Sequence, residues 1–261
     1  MRFLLYNIRY GTGTGHHFHL PFPFIGYLKP TKHNEARIAD FVKSFNPDIV
    51  GLIEVDTGSF RAGGNQVEML AEQLGHFHVY QSKYQPTSVF RAIPVFRKQG
   101  NAFLTRQRIA AQNFHYFDSG IKRLVIELEL DDCVIFLVHL SLKFRHRHQQ
   151  LRTLHQLVRE VKKPVLVAGD FNPVWGDEEL HLFMAATGLL NANLDGQPSF
   201  PSRAPRWQLD FILHSPEIEI SHFEVPSVCF SDHCPLVCDF QVRTPHAPQL
   251  AAATNGTQEL P

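Results

Sequence analysis

Four polar side chains of this sequence directly follow short runs of mainly apolar residues. They are Asn7, Glu54, His139 and Asp170. Runs of this kind are typical of buried strands. Carboxylates and amides supply the oxygen ligands that hard divalent ions prefer, and an imidazole can transfer a proton near neutral pH. If the strands are neighbours, their ends form one polar cleft at the edge of a sheet.

Other polar residues precede apolar segments instead of following them. Asp210 stands before Phe211–Leu213, and Asp232 with His233 stands before Leu236–Phe240. Strands that run antiparallel to the others begin at the sheet edge where the others end. We therefore expect all of these groups at the same cleft.

The order of these residues resembles that in the endonuclease/exonuclease/phosphatase superfamily, over residues 2 to 242. Two short motifs carry the resemblance, Gly169-Asp-Phe-Asn172 and Ser231-Asp-His233, and Gly100-Asn-Ala102 matches a further recurring element. The superfamily includes pancreatic-type deoxyribonucleases, AP endonucleases, neutral sphingomyelinases and inositol phosphatases. The resemblance implies a metal-dependent phosphodiesterase or phosphatase. It also implies a four-layered α/β sandwich, with two mixed β-sheets packed face to face and helices outside.

The residue types indicate how such a site would work. A divalent ion, Mg²⁺ or alternatively Mn²⁺, prefers a few carboxylate or amide oxygens, and the expected ligands are Glu54, Asn7 and Asp232. Asp210 would orient His233 and raise its basicity, so that His233 takes a proton from the attacking water.

Three other groups would act on the water, the leaving group or the phosphoryl group. Asp170 and Asn172 would position the water or the leaving group, and His139 would donate to a phosphoryl oxygen. The sequence leaves open whether Asp170 or His233 is the general base. Taken singly, each position also suits a turn cap, a surface carboxylate or a core imidazole, and only the ordered set indicates catalysis.

The sequence indicates the substrate class less directly than it indicates the reaction. The chain has 25 basic and 25 acidic residues, so no long-range field attracts a polyanion. Around Glu54 the sequence Leu52-Ile-Glu-Val-Asp56 departs from the Leu-Gln-Glu-Thr-Lys type of AP endonucleases. It is more similar to sphingomyelinase-like members and to the phosphodiesterase domain associated with GPI-anchor lipid remodelling. We expect a phosphodiesterase acting on a phospholipid or another small phosphodiester.

Two alternatives stand beside that expectation. A nuclease acting on DNA or RNA is the first, and the basic segment 143–148 is either a patch for nucleic acid or the solvated start of a helix. A non-catalytic binding module is the second, and the complete set of catalytic groups disfavours it. Nucleic acid is therefore a partner that we consider but do not favour.

The segment 16–28 is crowded with aromatic and histidine side chains, and its glycine-rich start and its prolines exclude a long helix. An exposed apolar loop beside a site usually contacts an apolar partner. The segment is either a peripheral membrane or lipid contact or a loop that folds back as a satellite core. Its histidines either tune the loop, contact phosphate or bind a second metal.

The remaining pattern alternates strand and helix. The expected helices have the apolar positions Ile38–Phe45 after a cap at Asn34, Val67–Leu74 before Gly75, Leu151–Val161, and Leu180–Met184 ending near Gly188. Further short strands are expected at Val79–Gln81, Pro94–Phe96, Ala102–Leu104, Arg123–Leu130 and Ile218–His222. This alternation predicts sheets faced by helices.

Length and composition suit one large domain, because the chain has 261 residues of which 44% are hydrophobic. We expect a catalytic domain over residues 1–243 and a disordered tail over 244–261, which is poor in large apolar residues. The first strand begins at Arg2, and no apolar stretch approaches the ~20 residues of a spanning helix. These features predict a cytoplasmic protein.

The four cysteines are expected to be buried free thiols, and the oligomeric state is not predicted.

Overall fold

The computed structural model describes residues 1–14, 31–84, 96–174 and 176–243. The predictions for segment 16–28 and for the tail 244–261 therefore concern residues outside those described. Within the described part, no helix is both long enough and apolar enough to cross a membrane.

Twelve strands and four helices form in these residues. The strands are β1 (Arg2–Asn7), β2 (Ile49–Asp56), β3 (Phe77–Ser82), β4 (Gln99–Thr105), β5 (Ala111–Tyr116), β6 (Leu124–Glu129), β7 (Val134–His139), β8 (Val165–Asp170), β9 (Leu190–Asn191), β10 (Asp210–His214), β11 (Ile218–Glu224) and β12 (Leu236–Val242). The helices are α1 (Lys32–Ser44), α2 (Gln66–Leu74), α3 (Phe144–Glu160) and α4 (Glu178–Thr187), and single 3-10 turns lie at Arg9–Gly11 and Phe96–Lys98.

The strands make two mixed sheets of six strands each. The first sheet has the order β11-β12-β1-β2-β4-β3 and the second has the order β5-β6-β7-β8-β10-β9. The pairs β1–β2 and β7–β8 are parallel, and the other pairs are antiparallel. The predicted mixed sheets are confirmed.

Three apolar cores hold four layers together. The core between the sheets contains side chains of both, such as Phe3 and Ile53 from the first and Leu137 from the second. A second core joins α3 and α4 to the second sheet, and a third joins α1 and α2 to the first. Because each sheet is covered on both faces, its central strands are buried throughout, which explains their continuous apolar runs. The predicted four-layered α/β sandwich is confirmed.

The helix ends agree with the predictions at two glycines. Gly75 and Gly188 follow α2 and α4 with φ angles of 66° and 74°, the left-handed conformation that a glycine adopts without steric cost.

Other boundaries differ from the predictions. Helix α1 begins at Lys32, and Asn34 is not its cap, because its side chain donates to the carbonyls of Gly11 and Phe230 at 3.0 and 2.7 Å. Phe96 belongs to a 3-10 turn and not to a strand. Cys229 is exposed, whereas Cys133, Cys234 and Cys238 are buried, and all four are free.

Helix α3 begins before its predicted apolar positions, as one interpretation of the basic segment 143–148 expected, whereas strand β5 departs from the predictions. Helix α3 already begins at Phe144, so the basic segment 143–148 is the start of a helix. Strand β5 was not expected, because its pattern of half-buried and exposed residues contains no apolar run.

Candidate active site

The registers of the two parallel strand pairs bring four of the predicted residues to one sheet edge. In the first sheet, Asn7 lies opposite Ile53, the residue before Glu54. In the second sheet, His139 lies opposite Asp170, at the ends of β7 and β8. Strand β10 runs antiparallel to β8 and places Asp210 opposite Asp170. The predicted convergence at one edge is therefore present in each sheet.

A hydrogen bond joins the two sheets at this edge. The Nδ2 of Asn7 donates to Oδ2 of Asp170 at 3.2 Å. Both side chains are buried, with 3% and 1% of their surface exposed. The same Asp170 oxygen lies 3.2 Å from Nε2 of His139 and 3.8 Å from Nε2 of His233. Asp170 is thus the centre of the site.

His233 and Asp210 form a buried pair. The Nδ1 of His233 lies 2.7 Å from Oδ2 of Asp210, and Ser199 Oγ donates to the same oxygen at 2.7 Å. Although burial alone would lower the pKa of His233, the charges of Asp210 and Asp170 raise it to about 10. The imidazole therefore carries a proton at neutral pH in the protein without ligands, and Asp210 fixes its orientation.

His139 differs from His233 in its protonation. Burial and the neighbouring charge of Lys122 lower the pKa of His139, so its ring is neutral near pH ~7. Lys122 Nζ contacts its Nε2, and its Nδ1 lies 3.9 Å from Oε1 of Glu54. The neutral ring links Glu54 to Asp170.

Glu54 reaches the cleft because of a bulge in β2. The register with β4 shifts between Leu52 and Val55, and Glu54 has a φ angle of +57°. Bulges of this kind re-aim a side chain beside a site. The backbone N–H of Glu54 donates to Oδ1 of Asn101 at 3.2 Å, which gives the Gly100-Asn-Ala102 element a structural role.

The Glu54 carboxylate is ionised by its neighbours. Burial alone would raise its pKa, but the electrostatic effect of its neighbours, above all the charge of Lys83, outweighs burial, and the pKa is lowered. Lys83 in turn has its pKa lowered to about 8 by burial, although Glu54 opposes that shift. A charged carboxylate thus faces two lysine side chains across the cleft.

Asn172 is held by hydrogen bonds in a left-handed conformation, with a φ angle of +53°, which asparagine tolerates better than most residues. Its backbone N–H donates to Oδ1 of Asp170 at 3.1 Å, and its Nδ2 donates to the carbonyl of Leu140 at 3.0 Å. Asn172 therefore ties the end of β8 to the residue that follows His139.

Arg147 of α3 holds the loops behind the site. Its side chain is buried, and its Nη1 donates to the carbonyls of Ser141, Leu142 and Asn172 at 3.2, 3.1 and 2.7 Å. Its Nε pairs with the buried carboxylate of Glu179 in α4. One guanidinium group thus fixes the segments that follow both His139 and Asp170, and it acts as a positioning residue.

Asp232 lies at the rim of the site. Its Oδ2 pairs with Nη1 of Arg9 at 2.9 Å, and 21% of its side chain is exposed. Arg9 is two residues beyond Asn7 and has a φ angle of +45°. The third predicted metal ligand, Asp232, is therefore paired with the guanidinium group of Arg9 at the rim of the site.

The sequence analysis missed Lys83 and Lys122, although the rule that found the other residues applies to them. Lys83 directly follows β3, and Lys122 lies two residues before the start of β6. Strand β3 is largely exposed and has no apolar run, so Lys83 does not follow the pattern that marked the other residues. A search for charged residues at every strand end, apolar or not, would have found both.

Two sets of residues could hold a cation. Ligand atoms of Asp170, Asp210 and His233 lie within 4.8 Å of one another. In the protein without ligands, however, both nitrogens of His233 face carboxylates and its pKa is raised, which favours an imidazole held between two carboxylates over a ligand set. Glu54, ionised and backed by the Asn7 amide, offers the oxygen donors that suit Mg²⁺.

Comparisons with known proteins show the family of this chain. Residues 4–233 match the family model described as the endonuclease/exonuclease/phosphatase family. A curated relative from Escherichia coli (strain K12), the uncharacterized protein YbhP, is 32% identical over 227 residues, which cover 78% of this chain and 87% of the relative.

Solved structures share the fold. An endonuclease/exonuclease/phosphatase from Beutenbergia cavernae superposes with a TM-score of 0.71 at 19% identity, over 93% of this chain and 71% of that one. The mannosyl-6-phosphatase of Bacteroides thetaiotaomicron gives 0.67 at 16% identity, over 92% and 99%. The catalytic domain of human Nocturnin gives 0.66 at 21% identity, over 93% and 94%.

Proposed function

Because this chain belongs to the endonuclease/exonuclease/phosphatase family, we propose that it is a metal-dependent phosphodiesterase that acts on a phospholipid or another small phosphodiester. The family comprises hydrolases of phosphoester bonds, which sets the reaction class of the chain. The diester specificity and the metal dependence are the parts that we propose.

One observation carries the proposal. Oδ2 of Asp170 lies within 3.2 Å of both Asn7 and His139 and 3.8 Å from His233. It therefore joins the Glu54 side of the cleft to the proton-carrying pair of Asp210 and His233. Cleavage of a phosphate ester needs both a cation near the phosphoryl oxygens and a group that moves a proton.

We assign the metal ligands to Glu54 and Asn7, with Asp232 at the rim as the third. When bound, a divalent ion such as Mg²⁺ neutralises charge on non-bridging oxygens and lowers the pKa of water. The donor set fits this ion, because Glu54 is ionised and Asn7 adds an amide oxygen.

We assign proton transfer to His233, which Asp210 holds and which in its protonated form gives a proton to the leaving oxygen. Asp170 is a weak base, because His139 and His233 lower its pKa despite its burial, so it is better suited to accepting hydrogen bonds than to removing a proton. We assign donation to a phosphoryl oxygen to Lys122 and His139, which contact each other, and Asn172 bonds the carbonyl of the residue after His139.

A nuclease is the second candidate, and one observation favours it. The ring of Phe200 lies 4.9 Å from that of His233, and Trp207 lies 6.2 Å from Phe200 with 48% of its surface exposed. Exposed aromatic rings beside a phosphodiester site can stack on bases.

The experiment is hydrolysis by the purified chain of a set of substrates: bis(4-nitrophenyl) phosphate, 4-nitrophenyl phosphate, sphingomyelin, phosphatidylinositol, RNA and DNA. We expect cleavage of the diesters, its loss with a chelator and its return with Mg²⁺ or Mn²⁺. Preference for the monoester would favour a phosphatase, and preference for RNA or DNA would favour the nuclease.

Glu54→Gln should abolish most of the metal-stimulated hydrolysis, because it removes the ligand charge with little change in shape. The melting temperature should stay unchanged, since Glu54 is not part of an apolar core. Glu217→Gln, on an exposed surface, is the matched control. Full Mg²⁺-dependent activity of Glu54→Gln would overturn the metal assignment.

A further inference from the structure

Large apolar side chains are exposed on the segments that border the cleft. Ile121, Leu142 and Phe144 have 60%, 52% and 60% of their surfaces exposed. Exposed apolar groups that lie together beside a site mark contact with an apolar partner.

The two segments that carry these residues touch each other. A methyl group placed on Gly120 would lie 3.5 Å from the Cβ atoms of Ser141 and His146. Nε2 of Gln150 also donates to the carbonyls of Ser119 and Lys122, at 3.0 and 2.6 Å. The 119–122 segment therefore packs against the start of α3, so the exposed Ile121, Leu142 and Phe144 lie on adjoining segments, which we call the rim.

This rim adjoins the catalytic groups. Lys122, the residue after Ile121, contacts His139, and the carbonyl of Leu142 accepts from Arg147, which also holds Asn172. A molecule lying on the rim would therefore lie next to the cleft.

Basic residues alternate with the apolar ones. Residues 142–145 are Leu-Lys-Phe-Arg, and all four are exposed. Within the described residues, no ion pair involves Lys143 or Arg145. The first turn of α3 contains no acidic residue, although a helix N-terminus favours acidic over basic side chains. The charge pattern therefore does not serve helix stability and instead suits an anionic partner.

We propose that this apolar–basic rim, formed by Ile121, Leu142, Lys143, Phe144 and Arg145, docks on an anionic phospholipid membrane. Apolar side chains that insert at the headgroup boundary and cations that attract anionic lipid are the two components of interfacial binding. The aliphatic Ile121 and Leu142 favour lipid over nucleic acid, which binds through aromatic stacking and cations. The consequence that a lipid phosphodiester reaches the cleft rests on the proposed function, whereas the docking itself does not.

The test is co-sedimentation of the full chain with phosphatidylcholine vesicles that contain or lack phosphatidylglycerol. The wild type should bind only the vesicles with phosphatidylglycerol. Leu142→Ser with Phe144→Ser should weaken binding at least about tenfold by removing apolar burial. Lys143→Glu with Arg145→Glu should weaken it similarly, by reversing two charges near the surface.

Matched controls lie far from the rim. Leu194→Ser changes a side chain that is 90% exposed, and Arg159→Glu reverses a charge in the last turn of α3. Both should bind like the wild type, and melting temperatures confirm that every variant is folded.

Three outcomes would overturn the proposal. They are absence of wild-type binding to the anionic vesicles, wild-type affinity in both rim variants, and binding of single-stranded RNA without vesicle binding. Hydrolysis of bis(4-nitrophenyl) phosphate separates this proposal from the catalytic one. The Leu142→Ser, Phe144→Ser variant should retain it, and a wild type that binds vesicles but does not cleave the soluble diester would refute only the catalytic proposal.

Discussion

At the residue scale, the two histidines of the site have opposite protonation states for reasons that the structure makes explicit. His233 lies between two carboxylates, Asp210 and Asp170, which raise its pKa to about 10 against burial. His139 is also buried, but the charge of Lys122 adds to burial and its pKa is lowered. One imidazole therefore carries a proton where the other does not, and the site contains both a proton carrier and a neutral imidazole.

The first prediction concerns the proton on the imidazole of His233. Asp210→Asn removes the carboxylate charge that opposes burial most strongly, so the pKa of His233 should fall. Imidazole resonances in an NMR titration without metal measure it. In the wild type His233 should remain protonated at about pH 8, and in the variant it should lose its proton at a lower pH than in the wild type. The exposed His222 should titrate identically in both proteins.

The same shift makes stability depend on pH. The folded pKa of His233, about 10, lies above its unfolded value of about 6.5. Its stabilising contribution is therefore complete below about pH 6.5 and is lost as the pH rises through about 10. Urea unfolding should show the free-energy difference between wild type and Asp210→Asn shrinking over that window. A difference that grows with pH would contradict the assigned protonation.

At the element scale, α3 matters because one of its residues connects three other segments. Arg147 bonds the carbonyls after β7 and β8 and pairs with Glu179 in α4. Both side chains are buried. A pair of this kind contributes little net stability, but loss of one partner leaves the other charge buried and costs about 3–5 kcal/mol.

The effect of Arg147 on stability can therefore be separated from its effect on the position of the site residues. Arg147→Met should lower the free energy of unfolding by about 3–5 kcal/mol, and the double variant Arg147→Met, Glu179→Leu should recover most of it. The kcat of the double variant should nonetheless fall about tenfold or more, because no guanidinium group donates to the carbonyls of Asn172 and of the loop after β7. Urea unfolding and kcat measure the two effects. Wild-type kcat in the double variant would show that Arg147 is structural alone.

Strand β8 tolerates no side chain at the residue before Asp170. A Cβ atom on Gly169 would lie 2.0 Å from the backbone oxygen of Val138 in β7. Gly169→Ala should therefore destabilise the protein by about 3 kcal/mol or more, because backbone atoms on both strands would have to separate. Gly64→Ala, where no atom lies within 4 Å of the new Cβ, is the control. An unchanged melting temperature for Gly169→Ala would contradict the register of β7 and β8.

At the scale of the whole molecule, neither sheet contains the site alone. Asn7 and Glu54 come from the first sheet, whereas His139, Asp170 and Asp210 come from the second. The apolar core between the sheets sets the separation of these two groups, and the bond from Asn7 to Asp170 depends on it.

We therefore expect the two sheets to unfold together. Leu137 projects from β7 into the core between the sheets, where its Cδ1 lies 3.2 Å from the Cβ position of Gly51. Leu137→Ala should cost about 2–5 kcal/mol, and circular dichroism and tryptophan fluorescence should report the same urea midpoint. Leu182→Ala, exposed on α4, should change stability by less than about 0.5 kcal/mol. Two separate transitions would mean that the sheets fold independently.

The sequence alone predicted sheets faced by helices and the set of candidate site residues from local patterns, and its resemblance to the family implied the four-layered fold. Continuous apolar runs mark strands covered on both faces, and the polar residues at their ends fall at one edge in any sheet of this kind. Asn7, Glu54, His139, Asp170, Asp210 and His233 were found in this way, and the structure places them together.

Only the tertiary structure decided which groups contact which. The pairing of Asp232 with Arg9, the lysines that face Glu54 and the support of Asn172 by Arg147 join residues on different elements. The bulge that turns Glu54 into the cleft arises from pairing with β4 and has no signal in β2 itself. These charge interactions and the register shift depend on distances across the packed sheets. The order of residues along the chain therefore does not predict them.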